Sequence, residues 1–231
     1  MAVDRRFFGH GIPGLENESL SGKLIVIEGS DYSGHSTQSA LLKEWLEVKG
    51  HAVAEAGIKR SKLMRQAIEE AKEEHILGQT TLGLLYATDF ADELENVIIP
   101  ALRAGMIVVA DRYVFTLMAR QKVRGAQSDW LETLLGFALK PDFVVYLSVP
   151  AEELMHRCFY SYGQLSYWES GMDLALSSDM VDSFLMYQNR LLEQYDRLAD
   201  QYQFDAVDGT QPIDDIHDHI KKKVKKLLKM A

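Results

Sequence analysis

One cysteine, Cys158, stands among 231 residues. No intrachain disulfide can form, and a reducing compartment, the cytoplasm, is the expected setting. No apolar run approaches the roughly 20 residues of a membrane span, and residues 1–20 lack the apolar segment of a secretory leader, so no membrane partner is expected. Internal repeats and low-complexity stretches are absent as well. Positive charge is in short supply: 25 Lys and Arg face 34 Asp and Glu, a formal charge of −9. That balance argues against nucleic acid as a general partner, since such binding runs through a basic surface.

The charge is also uneven. Lys221, Lys222, Lys223, Lys225, Lys226 and Lys229 crowd residues 221–231, which hold no acid, and the other 19 basic residues face all 34 acids. Ile213, Ile216, Ile220, Val224, Leu227 and Leu228 recur at helical spacing there, with Asp214, Asp215 and Asp218 early and the lysines late. This predicts a docked terminal helix whose charges oppose its dipole.

Ordinary apolar and charged fractions and this length suit one domain, or one domain with a lid. Residues 1–21, with Gly9, Gly11, Pro13 and Gly14, read as an irregular arm that Phe7 and Phe8 would pin to the body. Residues 22–231 read as the domain. Lys23–Glu28 predicts a short buried strand. A helix follows from near Ser36, with Leu41, Leu42, Trp45 and Leu46 as its apolar stripe and Gly50 at its end. A strand is expected at Ala52–Ala56, and helical stretches at about 60–77 and 80–103, the latter interrupted near Pro100. Met106–Ala110 and Phe143–Val149 read as strands buried on both faces. A helix with Trp130, Leu131, Leu134, Leu135 and Phe137 lies between them. A long helix carrying Val181, Phe184, Gln188, Leu191, Tyr195 and Leu198 precedes a last strand at Phe204–Val207. The alternation predicts an α/β fold of three layers with a mainly parallel five-stranded sheet. Ligands of such sheets sit beyond the carboxyl ends of the strands. Residues 29–37, 54–65 and 111–121 should therefore share one mouth.

The most telling stretch is Gly29-Ser30-Asp31-Tyr32-Ser33-Gly34-His35-Ser36-Thr37. The pattern G-x-x-x-x-G-K-[ST] closes backbone N–H groups around phosphate oxygens, brings a lysine to the β/γ-phosphates and offers a hydroxyl to Mg²⁺. Both glycines and the hydroxyl of Ser36 are present, but His35 holds the lysine position. A helix N-terminus with unpaired N–H groups would still attract an anion. Asp111-Arg112-Tyr113 closes the third strand. There a carboxylate could hold Mg²⁺ or orient a nucleophilic phosphate, and an arginine could clamp phosphate; an ion pair capping the next helix is the alternative. Asp31 suits either a substrate contact or a turn.

With these residues in place, the chain resembles the thymidylate kinase family of P-loop nucleoside monophosphate kinases from about Gly22 to its C-terminus. "GKLIVIEGSDYSGHSTQ" resembles the family's first strand and phosphate loop. "LLYATDFADELENVIIPALRAGMIVVADRY" resembles its nucleotide-binding helix and third strand, and "PDFVVYLSVPAEELMHR" its fourth strand and following helix. The resemblance implies phosphorylation of dTMP to dTDP by ATP with Mg²⁺, and a homodimer. It implies that Gly29, Ser30, Asp31, Tyr32, Ser33, Gly34, His35, Ser36 and Thr37 take the ATP phosphates, with Ser36 and Asp111 toward Mg²⁺. Asp31 would lie near the acceptor sugar, Tyr86 would stack on the base, and Gln121 would lie beside it. Asp111 and Arg112 would organise the acceptor phosphate and metal, and Asp31, His35, Asp111 and Arg112 together form the candidate catalytic set.

Departures from the family all fall on positive charge. Besides His35, Phe90 stands where the family carries an arginine to the acceptor phosphate. Tyr32 fills a loop position that is arginine in some members. The lid region, about 158–179, contains the acidic stretch "YWESGMDLALSSD", and no Lys, Arg or His occurs from Cys158 through Asn189. Phosphoryl transfer depends on positioning and on offsetting charge. Lys59, Arg60, Lys62, Arg65, Arg120 and Arg124 are the candidates for making good the loss. An imidazolium at His35 beside phosphates would have a raised pKa, giving activity that rises as pH falls from 8 to 6. Two functions stay open: a kinase of dTMP or a related monophosphate, and a nucleotide-binding regulator that kept the pocket and lost the chemistry.

Overall fold

The computed structural model describes residues 6–15, 18–73 and 78–230. Five strands, β1 (Lys23–Gly29), β2 (Val53–Gly57), β3 (Ile107–Asp111), β4 (Phe143–Ser148) and β5 (Asp205–Asp208), form one sheet in the order β2-β3-β1-β4-β5. Every pairing is parallel. Alternate residues of each central strand enter opposite cores. Leu24, Val26, Val108 and Ala110 face one cluster, and Ile25, Ile27, Ile107, Val109, Val145 and Leu147 face the other. Burial on both faces is why these strands read as unbroken apolar runs.

Helix α1 (His35–Val48) leaves the tip of β1 and buries Leu42 and Leu46. Gly50 follows it at φ 85°, donating its N–H to Glu47. Helix α2 (Arg65–Glu73) starts later than the sequence predicts, because the Ser61 hydroxyl accepts from the N–H groups of Leu63 and Met64 just ahead of it. Residues 74–77 of that predicted helix lie outside the described residues. Helix α3 (Gln79–Glu93) runs through a π-helical turn, Leu94–Ile98, into α4 (Ile99–Arg103). The wide turn, closed by Ile99 N–H on the Leu94 carbonyl, lies immediately before Pro100, which cannot supply a regular helical N–H.

The single helix expected between β3 and β4 is two: α5 (Val114–Val123) and α6 (Ser128–Leu134). Gly125, at φ 89°, sits between them, and Leu135 and Phe137 fall beyond α6. Then come α7 (Ala151–Tyr162), a lid with a short 3-10 turn at Met172–Leu174, α8 (Met180–Tyr202), and α9 (Ile213–Leu227). Asp179 caps α8 by accepting from Val181 and Asp182 N–H. The terminal helix docks as predicted: Ile216, Ile220 and Val224 join Leu42 and Ile25 in one core cluster. The arm is pinned as expected, with Phe7 buried and bridged to Leu139, and Phe8 edge-on to Phe115 and Tyr202.

Candidate active site

The phosphate loop owes its shape to close packing. A Cβ on Gly29 would lie 2.3 Å from Ser33 Oγ, and Gly34 takes φ 96° at the mouth of α1. Neither is open to an ordinary side chain without strain. Ser30 Oγ and Ser33 Oγ are buried and have no protein partner. Buried hydroxyls without partners are costly, and Ser33, which lines the cleft, could be satisfied by a phosphate oxygen. A cleft of about 1180 Å³ opens over Asp31–Gln38 and runs to Arg157, Tyr160, Tyr162 and Ile213.

At the tip of β3, Asp111 gathers the loop's first helical residues. Its Oδ1 contacts His35 Nδ1, and its Oδ2 accepts from Ser36 Oγ at 2.8 Å. Burial raises the Asp111 pKa, but the His35 and Ser36 contacts and Arg112 outweigh it and leave the carboxyl below its ordinary value. The sequence expectation for His35 concerns a ring beside bound phosphates; without them, burial lowers its pKa. Desolvation first, then Arg112, hold the ring below its usual value against the pull of Asp111. In the ligand-free site His35 is therefore neutral at pH 7, an aid to Asp111 rather than a replacement cation.

The next residue, Arg112, has φ 68°, and its Nε donates to the Gly29 carbonyl at 3.1 Å. Its guanidinium lies 2.9 Å from Asp31 Oδ1, and Arg120 Nη2 donates to Asp31 Oδ2 at 2.6 Å. Burial would raise Asp31, yet Arg112 and then Arg120 hold its carboxyl well below the usual carboxylate range. Behind this triad lies a smaller cavity of about 60 Å³, lined by Lys59, Tyr86, Arg120, Gln121, Arg124 and Trp168 among others. Tyr86 and Gln121, expected at the acceptor base, thus meet in one place. Beneath it, Glu28 is fully buried, accepts from Tyr113 N–H at 2.8 Å and Thr116 Oγ1 at 2.7 Å, and is pushed up to about 7 by desolvation.

The lid closes on both cavities. Glu169 accepts from the Tyr32 hydroxyl, and Asp173 pairs with Arg124 at 2.9 and 3.1 Å. Its acidity has a physical reason: it lands on an arginine. The apparent withdrawal of cations is corrected by the same geometry. Phe90 is indeed lost to the core, edge-on to Tyr113 at 4.8 Å. Arg120, Lys59 and Arg124, however, line the smaller cavity. Arg60 stands 3.9 Å from Asp111. Arg65 instead pairs with Glu69 on its own helix. Sequence reasoning missed Arg157, one residue ahead of the cation-free stretch, which donates to Ser33 O at 3.3 Å and Gly209 O at 2.9 Å. It also missed Glu28 and Trp168; for Glu28, a lone carboxylate inside an apolar strand was the available signal.

A glycine loop of this form, on the central strand of a sheet ordered β2-β3-β1-β4-β5, defines a P-loop nucleotide-binding protein. Within that class, a family model described as thymidylate kinase matches residues 27–220. The chain belongs to the thymidylate kinase family, whose members are nucleoside monophosphate kinases. It is 37% identical over 204 residues to a probable thymidylate kinase 2 of Saccharolobus solfataricus, covering 88% of this chain and 95% of the relative. A probable thymidylate kinase of Thermococcus gammatolerans is 32% identical, covering 85% and 92%. The thymidylate kinase of Plasmodium falciparum is 30% identical, covering 92% and 94%.

Proposed function

We propose that this chain transfers the γ-phosphoryl group of ATP to dTMP, giving ADP and dTDP. One observation carries the reading: the phosphate-loop cleft and the smaller acceptor cavity share a wall made of Asp31, Arg112 and Glu169. Two phosphorylated ligands placed on either side of one wall would meet end to end there, as in-line transfer requires.

In this reading Gly29–Thr37 holds the ATP phosphates, and Arg157 steadies the loop from α7. Tyr86 stacks on the acceptor base and Gln121 bonds its edge. Arg112 offsets charge between the two phosphates, and Asp31 stays ionised to hold Arg112 in place. Removing one well-placed donor of that kind costs about a hundredfold to a thousandfold in rate. Mg²⁺ fits the oxygens present. Ser36 Oγ and Asp111 Oδ2 are a hydroxyl and a carboxylate 2.8 Å apart, and no larger cluster of metal-ligating side chains occurs among the described residues. That is the sparse protein contribution usual for a magnesium held mainly by substrate phosphates and water. When bound, the ion would offset phosphate charge. The same reading takes residues 22–231 as the catalytic domain, with its lid within about 158–179, acting in the cytoplasm as a homodimer.

The contact between His35 and Asp111 favours the second reading, a nucleotide-binding regulator, because it ties up the carboxylate of the metal subsite. Incubating the protein with ATP, Mg²⁺ and each nucleoside monophosphate, followed by chromatography, separates the two. Conversion of dTMP supports the kinase, and conversion of a different monophosphate reassigns the acceptor. Nucleotide-dependent thermal stabilisation without any product supports the regulator.

A further inference from the structure

We propose that Arg120 is the clamp for the acceptor phosphate, parked on Asp31 until a nucleoside monophosphate arrives. The inference rests on the kinase reading and gives a specific role to a residue named above only as one of several candidate replacement cations.

Three arginines line the acceptor cavity, and their bonding differs. Arg112 is anchored from two sides, its Nε donating to the Gly29 carbonyl and its Nη2, which has no hydrogen bond, lying 2.9 Å from Asp31 in an ion pair. Arg124 is held along its Nε–Nη2 edge by Asp173, and its Nη1 donates to Tyr187 Oη at 2.9 Å. Arg120 is the loose one. Its Nη2 donates to Asp31, while its buried Nε has no partner. A guanidinium carries five donors, and burying it with donors unused is costly unless an acceptor arrives. The cavity's charge points to what that acceptor is. Lys59, Arg112, Arg120 and Arg124 face Asp31, Glu169 and, through Arg124, Asp173. One positive charge is in excess before any ligand enters, and a phosphate monoester is the planar fork's natural anion.

Position and loss elsewhere agree. Phe90 is buried in an aromatic contact with Tyr113 and Phe137, so α3 sends no cation into the cavity from that turn. Tyr86, one turn earlier, does line it. Helix α5 stands across the cavity and presents Arg120 beside Gln121, so one helix would read both the phosphate and the base.

The test compares affinities for dTMP and thymidine, which differ only in the phosphate, by calorimetry on the full chain and on Arg120→Gln and Arg120→Lys. In the unaltered protein dTMP is expected to bind far more tightly than thymidine. Arg120→Gln is expected to cut that preference about 30-fold, the scale of a hydrogen bond to a charged group, with thymidine affinity kept. Arg120→Lys retains the charge without the fork and should fall between. Melting curves identify which variants fold. A folded variant that keeps the full preference overturns the clamp and leaves the kinase reading standing. If the unaltered protein binds neither dTMP nor any other monophosphate more tightly than its nucleoside, the kinase reading falls, and the clamp with it.

Discussion

His35 and Ser36 share one carboxylate: the imidazole Nδ1 contacts Asp111 Oδ1, and the hydroxyl donates to Oδ2 at 2.8 Å. The residue at the loop's lysine position is thus spent on the neighbouring strand end. A lysine at position 35 has the reach and permanent charge to leave Asp111 for phosphate. His35→Lys is expected to bind ATP about tenfold more tightly, roughly 1.4 kcal/mol, read by calorimetry. Unchanged or weaker binding would show that Asp111 needs the imidazole more than the phosphates need a cation. Because burial holds the ring below its ordinary value in the ligand-free site, His35 is expected to be mainly uncharged from pH 8 to 7. ATP affinity should show no His35-dependent rise across that window. A rise that vanishes in His35→Gln would mean that bound phosphates charge the ring after all.

Glu28 makes stability fall with rising pH. Its folded value is raised from 4.5 to about 7 by burial, so the folded chain holds a proton that the unfolded chain releases. The favourable term is complete below about pH 4.5 and is lost as pH climbs through 7, a loss on the order of 3 kcal/mol. Urea unfolding at pH 5 and pH 8 measures it. Glu28→Gln, which cannot titrate, should flatten that portion of the slope; an unchanged slope would place the effect on other groups.

Asp31 is the only carboxylate bonded to Arg120 among the described residues, and it also serves Arg112. Asp31→Asn leaves two buried guanidinium groups without it, a loss of about 3–5 kcal/mol. Inorganic phosphate should restore much of the melting temperature, and sodium chloride at equal ionic strength should not. Equal rescue by both salts would mean general screening, with no anion seated between the arginines.

Much of the fold was legible because its signals are local. The β1 run, the glycines of the loop, the α9 stripe and the Phe7–Phe8 pin all depend on residues close in sequence. The split between α5 and α6 was not, since Trp130, Leu131 and Leu134 keep helical spacing with Leu135 past the true end. At the site, Asp31, Asp111 and Arg112 announced themselves through the strand ends that carry them. Where Arg120 and Arg124 point was hidden. Arg120 lies on a helix buried on nearly every side and Arg124 immediately follows its end, and periodicity assigns no solvent face when the buried arc is so wide. Only the positions of Asp31 and Asp173, 89 and 49 residues away, settle it. The absence of charge at Phe90 was visible and its candidate replacements could be named, but not which of them line the smaller cavity.

Asp31, Arg112 and Glu169 belong to both cavities, so in the kinase reading the two nucleotides are expected to feel one another through a common partition. Whatever rearrangement the first to arrive imposes on that common partition is already made when the second comes. By reciprocity, each must alter the other's affinity by the same factor. Saturation curves for one nucleotide should therefore shift with the concentration of the other.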